Sequence, residues 1–246
     1  MILDFETHLV KKTEIAANIF ILGFQIDSKS PLDYRPGQYI ILLVPVTGQG
    51  FPTRRLYSIF EVSPEKNYFE LLVEFIPGGL GSEYLKKAVI NDKVKFQGPA
   101  GLFTLRETKD RPVYFLATGT GIAPIYQLAL EFSKTNSNTK GTLLFGLRNF
   151  KDLYLYNKLK NLQTGQANIT FKVCLSREAT LDAVGLDDKK NFILGRVTSE
   201  LDKVNDGDLL KSHFYVCGGK STVESIRQYL ESRGVPKEQI FFERFS

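Results

Sequence analysis

The sequence predicts two domains, an antiparallel β-barrel over residues 1–106 and a doubly wound α/β domain with a parallel sheet over residues 107–246. Two observations predict this order. Up to about residue 105, short β-rich segments are bounded by turn-forming proline, glycine and asparagine, as in antiparallel barrels. From about Arg111, strand-like and helix-like segments alternate, as in a parallel sheet. We expect the boundary within residues 98–110, where turn formers precede a charged stretch.

In the first half, strands are predicted at residues 38–44, 68–75 and 92–96, and Arg54–Ser58 is assigned to a further strand. One helix is predicted to begin at Ser82 and to run to Ala88. The segment Pro77–Ser82 contains three glycines and leads into this helix. Because a helix N-terminus presents unpaired backbone N–H groups, the segment is a candidate anion site. For Ser82 by itself, a plain N-cap is the favoured explanation.

In the second half, five strands and three helices are predicted. The strands are residues 113–117, 142–145, 169–175, 214–217 and 239–242, and the helices are residues 123–133, 153–162 and 222–232. Pro124 lies in the first turn of the first of these helices, where its missing N–H is harmless. The residues between the third and fourth strands have no clear pattern, so we expect an irregular stretch there.

The composition excludes several classes of protein. With 43% hydrophobic and 24% charged residues, the chain is neither disordered nor collagen-like. No apolar run approaches the roughly 18 residues that span a bilayer, and the first six residues do not resemble a signal peptide, so we expect a cytoplasmic protein without membrane contact. Two cysteines and two histidines are too few for a four-cysteine centre or a histidine-rich site, and we expect no metal.

The excess of positive charge lies entirely in the second half. Residues 1–108 hold 12 basic and 12 acidic side chains, whereas residues 109–246 hold 20 basic and 15 acidic ones. This excess is too mild and too scattered for a nucleic-acid-binding domain. It suits a small polyanion such as a phosphorylated cofactor, although random scatter of surface charge explains it as well.

The strongest local signal is the segment from Leu116 to Pro124. A buried strand runs into Gly119-Thr120-Gly121, and a helix N-terminus follows at once, so backbone N–H groups can approach a phosphate. Pro124 stands where the dinucleotide fingerprint has its third glycine. Thr120, Gly121 and Pro124 are therefore candidate nucleotide-binding residues, with a plain strand-to-helix turn as the alternative.

Arginines at predicted strand ends favour NADP over NAD. The second strand of this half is followed by Arg148 instead of the carboxylate that would accept the ribose hydroxyls of NAD. Ser176 and Arg177 follow the third strand, and Arg196 comes later. A guanidinium is always charged and matches a 2′-phosphate. Each arginine singly is also explained as a solvated surface residue.

Five segments in register resemble the ferredoxin–NADP(H) reductase superfamily of flavoproteins over about residues 34–245. Arg55-Leu56-Tyr57-Ser58 looks like the flavin motif Arg-x-Tyr-Ser, and Gly79-Leu80-Gly81-Ser82 looks like Gly-x-x-Ser. Residues 98–103 are similar to the stretch that closes the flavin domain. Residues 119–124 match the nicotinamide-nucleotide loop, and residues 216–219 match the late Cys-Gly segment.

The resemblance implies roles for the flavin-side residues. Arg55 would pair with a flavin phosphate, Tyr57 would lie against the isoalloxazine, Ser58 would sit near its N5 atom, and Ser82 would hold the pyrophosphate. The remaining residues implied on the flavin are Leu56, Val73, Gly79, Leu80, Gly81 and Phe245.

On the nicotinamide side, the resemblance implies that Cys217 and Gly218 face the nicotinamide and that Glu243 supplies a polar group beside the cysteine. Ser58, Cys217 and Glu243 are thus the implied catalytic residues. For Cys217 by itself, a small buried core residue is the alternative.

The expected protein is a monomeric flavoenzyme that binds FAD and NADP(H). Hydride would pass between NADPH and FAD, and single electrons between FAD and a small carrier, a ferredoxin or a flavodoxin. The alternatives are an NADH-dependent oxygenase reductase component or a free-flavin reductase. A flavin-binding sensor or assembly subunit without turnover is a further alternative.

Overall fold

The computed structural model describes residues 3–27, 31–46, 48, 50–108, 111–135, 138–165 and 167–245. It divides into two compact units, Met1–Thr104 and Leu105–Ser246. Residues 109 and 110 of the expected boundary stretch lie outside the described residues. Among the helices of the described ranges, none combines the length and the apolar character that crossing a bilayer requires.

The first unit is a closed antiparallel barrel of six strands, which confirms the predicted fold class. The strands are β1 (Leu3–Ala16), β2 (Ile19–Ile26), β3 (Tyr39–Val44), β4 (Thr53–Val62), β5 (Tyr68–Glu74) and β6 (Lys93–Ala100). Around the barrel they follow the order β1-β2-β5-β4-β3-β6. Alternate side chains point inward, and Phe24, Phe69 and Phe96 pack together within the core at centroid separations of 4.9 to 5.4 Å.

Two of these strands, β1 and β2, were not predicted. In β1 the pairing with β2 shifts register between Leu9 and Lys11 and again between Glu14 and Ala16. These irregularities break the alternation of apolar and polar residues on which strand prediction depends. The charged residues of β1 therefore resemble a loop in sequence although they lie on a long strand.

The helix of the barrel unit begins earlier than predicted, and Ser82 is not its N-cap. Helix α1 spans Leu80–Lys87, and its N-cap is Gly79. The Ser82 hydroxyl donates instead to the carbonyl of Glu74, at 3.2 Å. At the other end of the helix, Lys12 Nζ donates to three terminal backbone carbonyls, at 2.6 to 3.2 Å, and so ties α1 to β1.

The second unit holds a six-stranded parallel sheet, which confirms the other half of the predicted fold class. Its strands are β7 (Val113–Thr118), β8 (Gly141–Leu147), β9 (Ile169–Leu175), β10 (Phe192–Leu194), β11 (His213–Gly219) and β12 (Ile240–Phe245). The order is β10-β9-β8-β7-β11-β12. Because the chain winds outward from β7 to β10 and then returns to β11, the order reverses between β7 and β11.

In the described part of this unit, five helices accompany the sheet: α2 (Ile122–Thr135), α3 (Tyr156–Gly165), α4 (Val197–Leu201), α5 (Asp206–Leu209) and α6 (Lys220–Ser232). Helix α3 begins three residues later than predicted. Asn149 and Asp152 cap a short 3-10 turn, and Leu155 has a positive φ of 59°, so the chain turns before the helix begins. The stretch predicted to be irregular contains β10, α4 and α5.

Candidate functional site

In the barrel unit, β4 and the first turn of α1 bring three motif residues together. A Cβ atom placed on Gly81 would lie 2.5 Å from Tyr57 Oη and 3.1 Å from Arg55 Cγ. The position therefore favours glycine, because a side chain would have to displace Tyr57 and Arg55. Glycine at this point lets the start of α1 pack directly on both side chains.

Tyr57 and Ser58 lie on opposite faces of β4, as strand geometry requires. Tyr57 packs against the barrel core, and Ser58 is buried on the other face. Burial raises the pKa of the Tyr57 phenol, while its hydrogen bond to Ser82 and the charge of Arg55 lower it. Tyr57 therefore stays neutral and links the two motifs through Ser82.

This arrangement can hold an anionic phosphate. The N–H groups of the first turn of α1 have no acceptor within the helix, and they carry the positive end of its dipole. The Arg55 side chain is exposed beside this turn, and one of its Nη atoms donates to the Arg54 carbonyl at 2.8 Å. A helix start together with a guanidinium is a donor set that fits a phosphate or a pyrophosphate.

The other predicted flavin-side residues are spread more widely. Gly79 caps α1, and the Leu80 and Leu56 side chains are exposed. Val73 lies in the barrel core with 1% of its surface exposed, so its side chain is not part of this cluster. Phe245 ends β12 in the other unit, and Ser246 after it lies outside the described residues.

In the second unit, the glycine-rich segments meet where the strand order reverses. A Cβ atom on Gly121 would overlap the carbonyl group of Cys217 and the nitrogen of Gly218. A Cβ atom on Gly218 would overlap the Thr118 hydroxyl. The ends of β7 and β11 thus approach each other backbone to backbone, at the point where open α/β sheets bind ligands.

Thr120 and Gly121 belong to a 3-10 turn that leads into α2, and Pro124 is the third residue of that helix. Gly119 has a positive φ of 53°, which turns the chain from the strand toward the helix. The segment therefore has the strand, turn and helix order predicted for a nucleotide loop. The Ile122 N–H is bonded to the carbonyls of Gly119 and Thr120, so the N–H groups that can approach a phosphate are those of the 3-10 turn itself.

Cys217 and Glu243 are register partners on the parallel strands β11 and β12. The Cys217 side chain is 1% exposed. Burial, and then the negative charge of Glu243, raise the pKa of its thiol well above the usual value, so the thiol is protonated at neutral pH. Within the described ranges, no three histidine, cysteine or acidic side chains come together as a metal site.

The three candidate arginines follow neighbouring strands. Arg148 follows β8, Arg177 lies just after β9, and Arg196 lies just after β10; all three are exposed. Parallel strands end at the same edge of a sheet, so three guanidinium groups line one edge. By contrast, Arg227 and Arg233 in the same unit form ion pairs with acidic residues.

Ser176 and Glu178 are tied to the loop after β8. The Ser176 hydroxyl donates to the carbonyl of Leu147 at 3.1 Å, and Glu178 Oε1 accepts from the Phe150 N–H at 2.7 Å. The role of Glu178 was missed in the sequence, as was the contact of Thr118 with Gly218. Glu178 directly follows Arg177, but sequence spacing does not reveal a hydrogen bond to a residue 28 positions away.

Two family models match the chain. Residues 6–105 match the oxidoreductase FAD-binding domain, and residues 115–228 match the oxidoreductase NAD-binding domain. Together the two matches cover most of the chain, and each falls mainly within one of the two units. The chain therefore carries an FAD-binding and a pyridine-nucleotide-binding domain.

Curated relatives and solved structures agree with these matches. The reductase component of propane 2-monooxygenase from Rhodococcus jostii (strain RHA1) is 27% identical over 99% of this chain and 64% of its own length. This chain thus spans less than two thirds of that relative. Ferredoxin–NADP reductase B from Sorangium cellulosum (strain So ce56) is 26% identical over 98% of this chain and 97% of its own length. The cytochrome P450 reductase GcoB from Amycolatopsis shares the fold, with a TM-score of 0.84 at 24% identity over 99% of this chain and 70% of that one.

Proposed function

Because this chain combines the oxidoreductase FAD-binding and NAD-binding domains, we propose that it is a flavoenzyme similar to the ferredoxin–NADP(H) reductases. In this proposal it oxidises NADPH and passes electrons to a separate small carrier protein, a ferredoxin or a flavodoxin. In this proposal residues 1–106 hold FAD and residues 107–246 hold the nicotinamide nucleotide. The observation that carries it is the presence of two phosphate-type sites in one chain, one in each unit.

On the flavin side, Arg55 and the first turn of α1 would bind the phosphates of FAD, and Gly79, Leu80, Gly81 and Ser82 would form that turn. Two anion-binding elements favour the pyrophosphate of FAD over the single phosphate of FMN. Tyr57 and Ser58 would contact the ring system, with Leu56 beside them. When bound, FAD supplies a group that accepts two electrons together and can release them one at a time.

On the nucleotide side, the turn through Thr120 and Gly121 would receive the pyrophosphate of the nicotinamide nucleotide, with Pro124 fixing the start of the helix. Cys217, Gly218 and Glu243 would border the nicotinamide ring. The Cys217 thiol is protonated at neutral pH and therefore acts as a neutral packing and hydrogen-bonding group.

The preference for NADPH over NADH rests on the exposed arginines at the strand ends. Arg148, Arg177 and Arg196 can supply fixed positive charge to a 2′-phosphate, which NADH lacks. Ser176, between β9 and Arg177, would support the same edge. The net positive charge of the second half agrees with a cofactor that carries additional negative charge.

The proposed carrier follows from the redox groups that these residues can hold. The 246 residues contain two cysteines, both buried and free, whereas an iron–sulfur cluster needs four ligands. Electrons delivered to FAD would therefore leave to a group outside these 246 residues. Ferredoxins and flavodoxins are acidic, and the chain has a net charge of +5, so attraction would assist their encounter.

Two measurements test this proposal. The purified FAD-loaded protein is mixed anaerobically with NADPH or NADH, and we expect the flavin absorbance to bleach at lower concentrations of NADPH. Cytochrome c reduction is then followed with and without an added ferredoxin or flavodoxin, across a salt series. We expect stimulation by the carrier that weakens with salt. Absence of stimulation, together with rapid reduction of free FMN or FAD, would contradict the carrier.

An NADH-dependent oxygenase reductase component is the second candidate, because the propane 2-monooxygenase relative is a reductase component of an oxygenase. In that case the electron acceptor is a subunit of the oxygenase or a separate iron–sulfur protein that serves the oxygenase. Bleaching by NADH at concentrations at which NADPH has no effect would favour this candidate.

A further inference from the structure

Glu178 occupies an unexpected position for a carboxylate beside a predicted phosphate site. It follows Arg177 directly, at the edge of the sheet where the exposed arginines lie. Its Oε1 atom accepts a hydrogen bond of 2.7 Å from the backbone N–H of Phe150, which is two residues beyond Arg148. The Glu178 side chain therefore bridges from the segment that carries one arginine to the loop that carries another.

Further hydrogen bonds join the same two segments. The Ser176 N–H and hydroxyl both donate to the Leu147 carbonyl, at 3.0 and 3.1 Å. The Arg177 N–H donates to the Arg148 carbonyl at 2.8 Å. These bonds continue the pairing of β8 and β9 past the ends of the strands. Of these hydrogen bonds, the one from Phe150 to Glu178 lies farthest from the ends of β8 and β9 along the chain.

The loop after Arg148 is held on the sheet by several contacts, of which the Glu178 hydrogen bond is one. Asp152 and Asn149 cap it internally, which fixes its shape but not its place on the sheet. The Phe150 ring packs against Phe192 at 5.8 Å between centroids, a contact without hydrogen bonds. The Glu178 carboxylate adds a directional bond from the turn after β9 to the loop backbone beyond Arg148.

We propose that Glu178 is a positioning residue for NADPH recognition, because its carboxylate holds the loop that presents Arg148 beside Arg177. This inference rests on the proposed preference for NADPH. The negative charge of Glu178 disfavours a phosphate at this edge of the sheet, so a structural task is needed to account for its place there. The bond to the Phe150 N–H gives the carboxylate that task.

A contrary role for Glu178 is direct contact with the ribose of NADH. Carboxylates at the ends of strands accept hydrogen bonds from the ribose hydroxyls in NAD-dependent folds. In that role, loss of Glu178 would weaken binding of NADH more than binding of NADPH. The two roles therefore predict opposite changes in cofactor preference.

The test uses the FAD-loaded full chain and the variants Glu178→Ala, Glu178→Gln and Arg177→Ala, with Glu231→Ala on α6 as the control for loss of a negative charge. The Kd values of NADP⁺ and NAD⁺ are measured by calorimetry. KM and kcat are measured for NADPH and NADH with ferricyanide as the electron acceptor.

For Glu178→Ala we expect the Kd of NADP⁺ and the KM of NADPH to rise about tenfold, and the values for NAD⁺ and NADH to rise about twofold or less. The kcat should stay unchanged. Glu178→Gln keeps an oxygen acceptor for Phe150, and its affinity for NADP⁺ should match or exceed that of the wild type. Glu231→Ala should match the wild type in all values.

Equal changes for both cofactors in Glu178→Ala, or a larger change for NAD⁺, would overturn the positioning role. So would a loss of NADP⁺ affinity in Glu178→Gln as large as in Glu178→Ala. Arg177→Ala separates this failure from a failure of the proposed function. If Arg177→Ala weakens NADP⁺ selectively and Glu178→Ala does not, Glu178 has no such role and the preference for NADPH stands. If Arg177→Ala affects both cofactors equally, Arg177 does not read the 2′-phosphate and the inference fails. The preference for NADPH fails as well if the wild type binds NADP⁺ no more tightly than NAD⁺.

Discussion

The two units of the chain build their candidate sites from different parts of the polypeptide. In the barrel unit, Gly81 approaches the side chains of Tyr57 and Arg55. In the nucleotide unit, Gly121 approaches the backbone of Cys217 and Gly218. Side chains can rotate away from an intruding atom, whereas the backbone of a strand between two other strands cannot shift without breaking its hydrogen bonds. The same substitution should therefore have different consequences in the two units.

The two halves also differ in charge. The first half is neutral, and its candidate phosphate site depends on Arg55 and a helix start. The second half carries the entire excess of positive charge and has three exposed arginines at one edge of its sheet. The barrel site relies on one charged side chain and a helix start, whereas the nucleotide edge relies on three charged side chains that salt screens. We therefore expect salt to weaken nucleotide binding more than flavin binding.

The largest effect is expected for Gly121→Ala. The new Cβ atom would overlap the Cys217 carbonyl, and β11 lies between β7 and β12, so it cannot move aside. We expect the free energy of unfolding of the nucleotide unit to fall by about 3 kcal/mol and NADP⁺ binding to be lost, while the barrel unit retains FAD. Urea denaturation, calorimetry with NADP⁺ and flavin fluorescence measure the three quantities.

Gly219→Ala is the matched control for that variant. Gly219 is two residues beyond Cys217, has an ordinary φ of −63°, and a Cβ atom there would meet nothing within 4 Å. Because it is the N-cap of α6, the change should cost only about 0.5–1 kcal/mol. The place between β7 and β11 where the strand order reverses is the switch point of the sheet. Equal losses of stability in the two variants would mean that backbone contact at this switch point does not prevent a side chain at position 121.

A smaller effect is expected for Gly81→Ala in the barrel unit. The new methyl group would press on Tyr57 Oη and Arg55 Cγ, both of which belong to side chains. We expect the free energy of unfolding to fall by about 1 kcal/mol and the Kd of FAD to rise about tenfold, because both side chains leave their positions. Flavin fluorescence and urea denaturation test this.

Tyr57→Phe provides the partner for a double-mutant cycle, since it removes the oxygen that the new methyl group would meet. The double variant should be less destabilised than the sum of the two single variants. Strict additivity would show that the Tyr57 hydroxyl is not what excludes a side chain at position 81, and the contrast between the two units would then lose its basis.

The glycines that define both sites were visible in the sequence, because a glycine between a strand and a helix indicates a turn or a close approach of the backbone. Gly121, Gly218 and Gly81 all lie in segments singled out as motifs. The reason that each must be glycine was not visible, since it depends on partners far away in the sequence, such as Tyr57 for Gly81 and Cys217 for Gly121. Local chemistry predicts that a turn is present, but only the pairing of the strands identifies its neighbours.

The same limit accounts for the predictions that were wrong. Ser82 has the residue type of an N-cap, but its hydroxyl bonds to Glu74 on β5, a contact that depends on the closed barrel. Strand β1 was missed because its bulges break the alternating pattern. Strand β10 has only three residues and was too short to leave a pattern. In each case the pairing of distant segments outweighed the local signal.

The smallest effect is expected for Cys217→Ala, which separates a role in the site from a role in packing. Cys174 on β9 is the matched control, because it is also buried in the same sheet but lies away from the switch point. We expect Cys217→Ala to slow anaerobic flavin reduction by saturating NADPH about threefold to tenfold, with bound FAD unchanged, and Cys174→Ala to leave the rate near that of the wild type.

Both cysteines should affect stability at alkaline pH in the same direction. Burial raises the pKa of Cys174 to about 12 and that of Cys217 well above its usual value. A thiol in the unfolded chain loses its proton near pH 8.5, so above that pH the unfolded state binds fewer protons than the folded state, and stability falls as pH rises. Each alanine variant removes one such group. Relative to the wild type, each variant should therefore lose about 1.4 kcal/mol less stability per pH unit above about pH 8.5.

Urea denaturation at pH 7 and pH 10 measures this dependence of stability on pH, and stopped-flow bleaching of the flavin measures the rate of its reduction. If both variants show the weaker dependence of stability on pH but only Cys217→Ala reduces the flavin more slowly, Cys217 belongs to the site. In that case burial and titration are shared by both cysteines, whereas the effect on the rate of flavin reduction is specific to Cys217. Slowing of the same size in both variants would return Cys217 to a packing role.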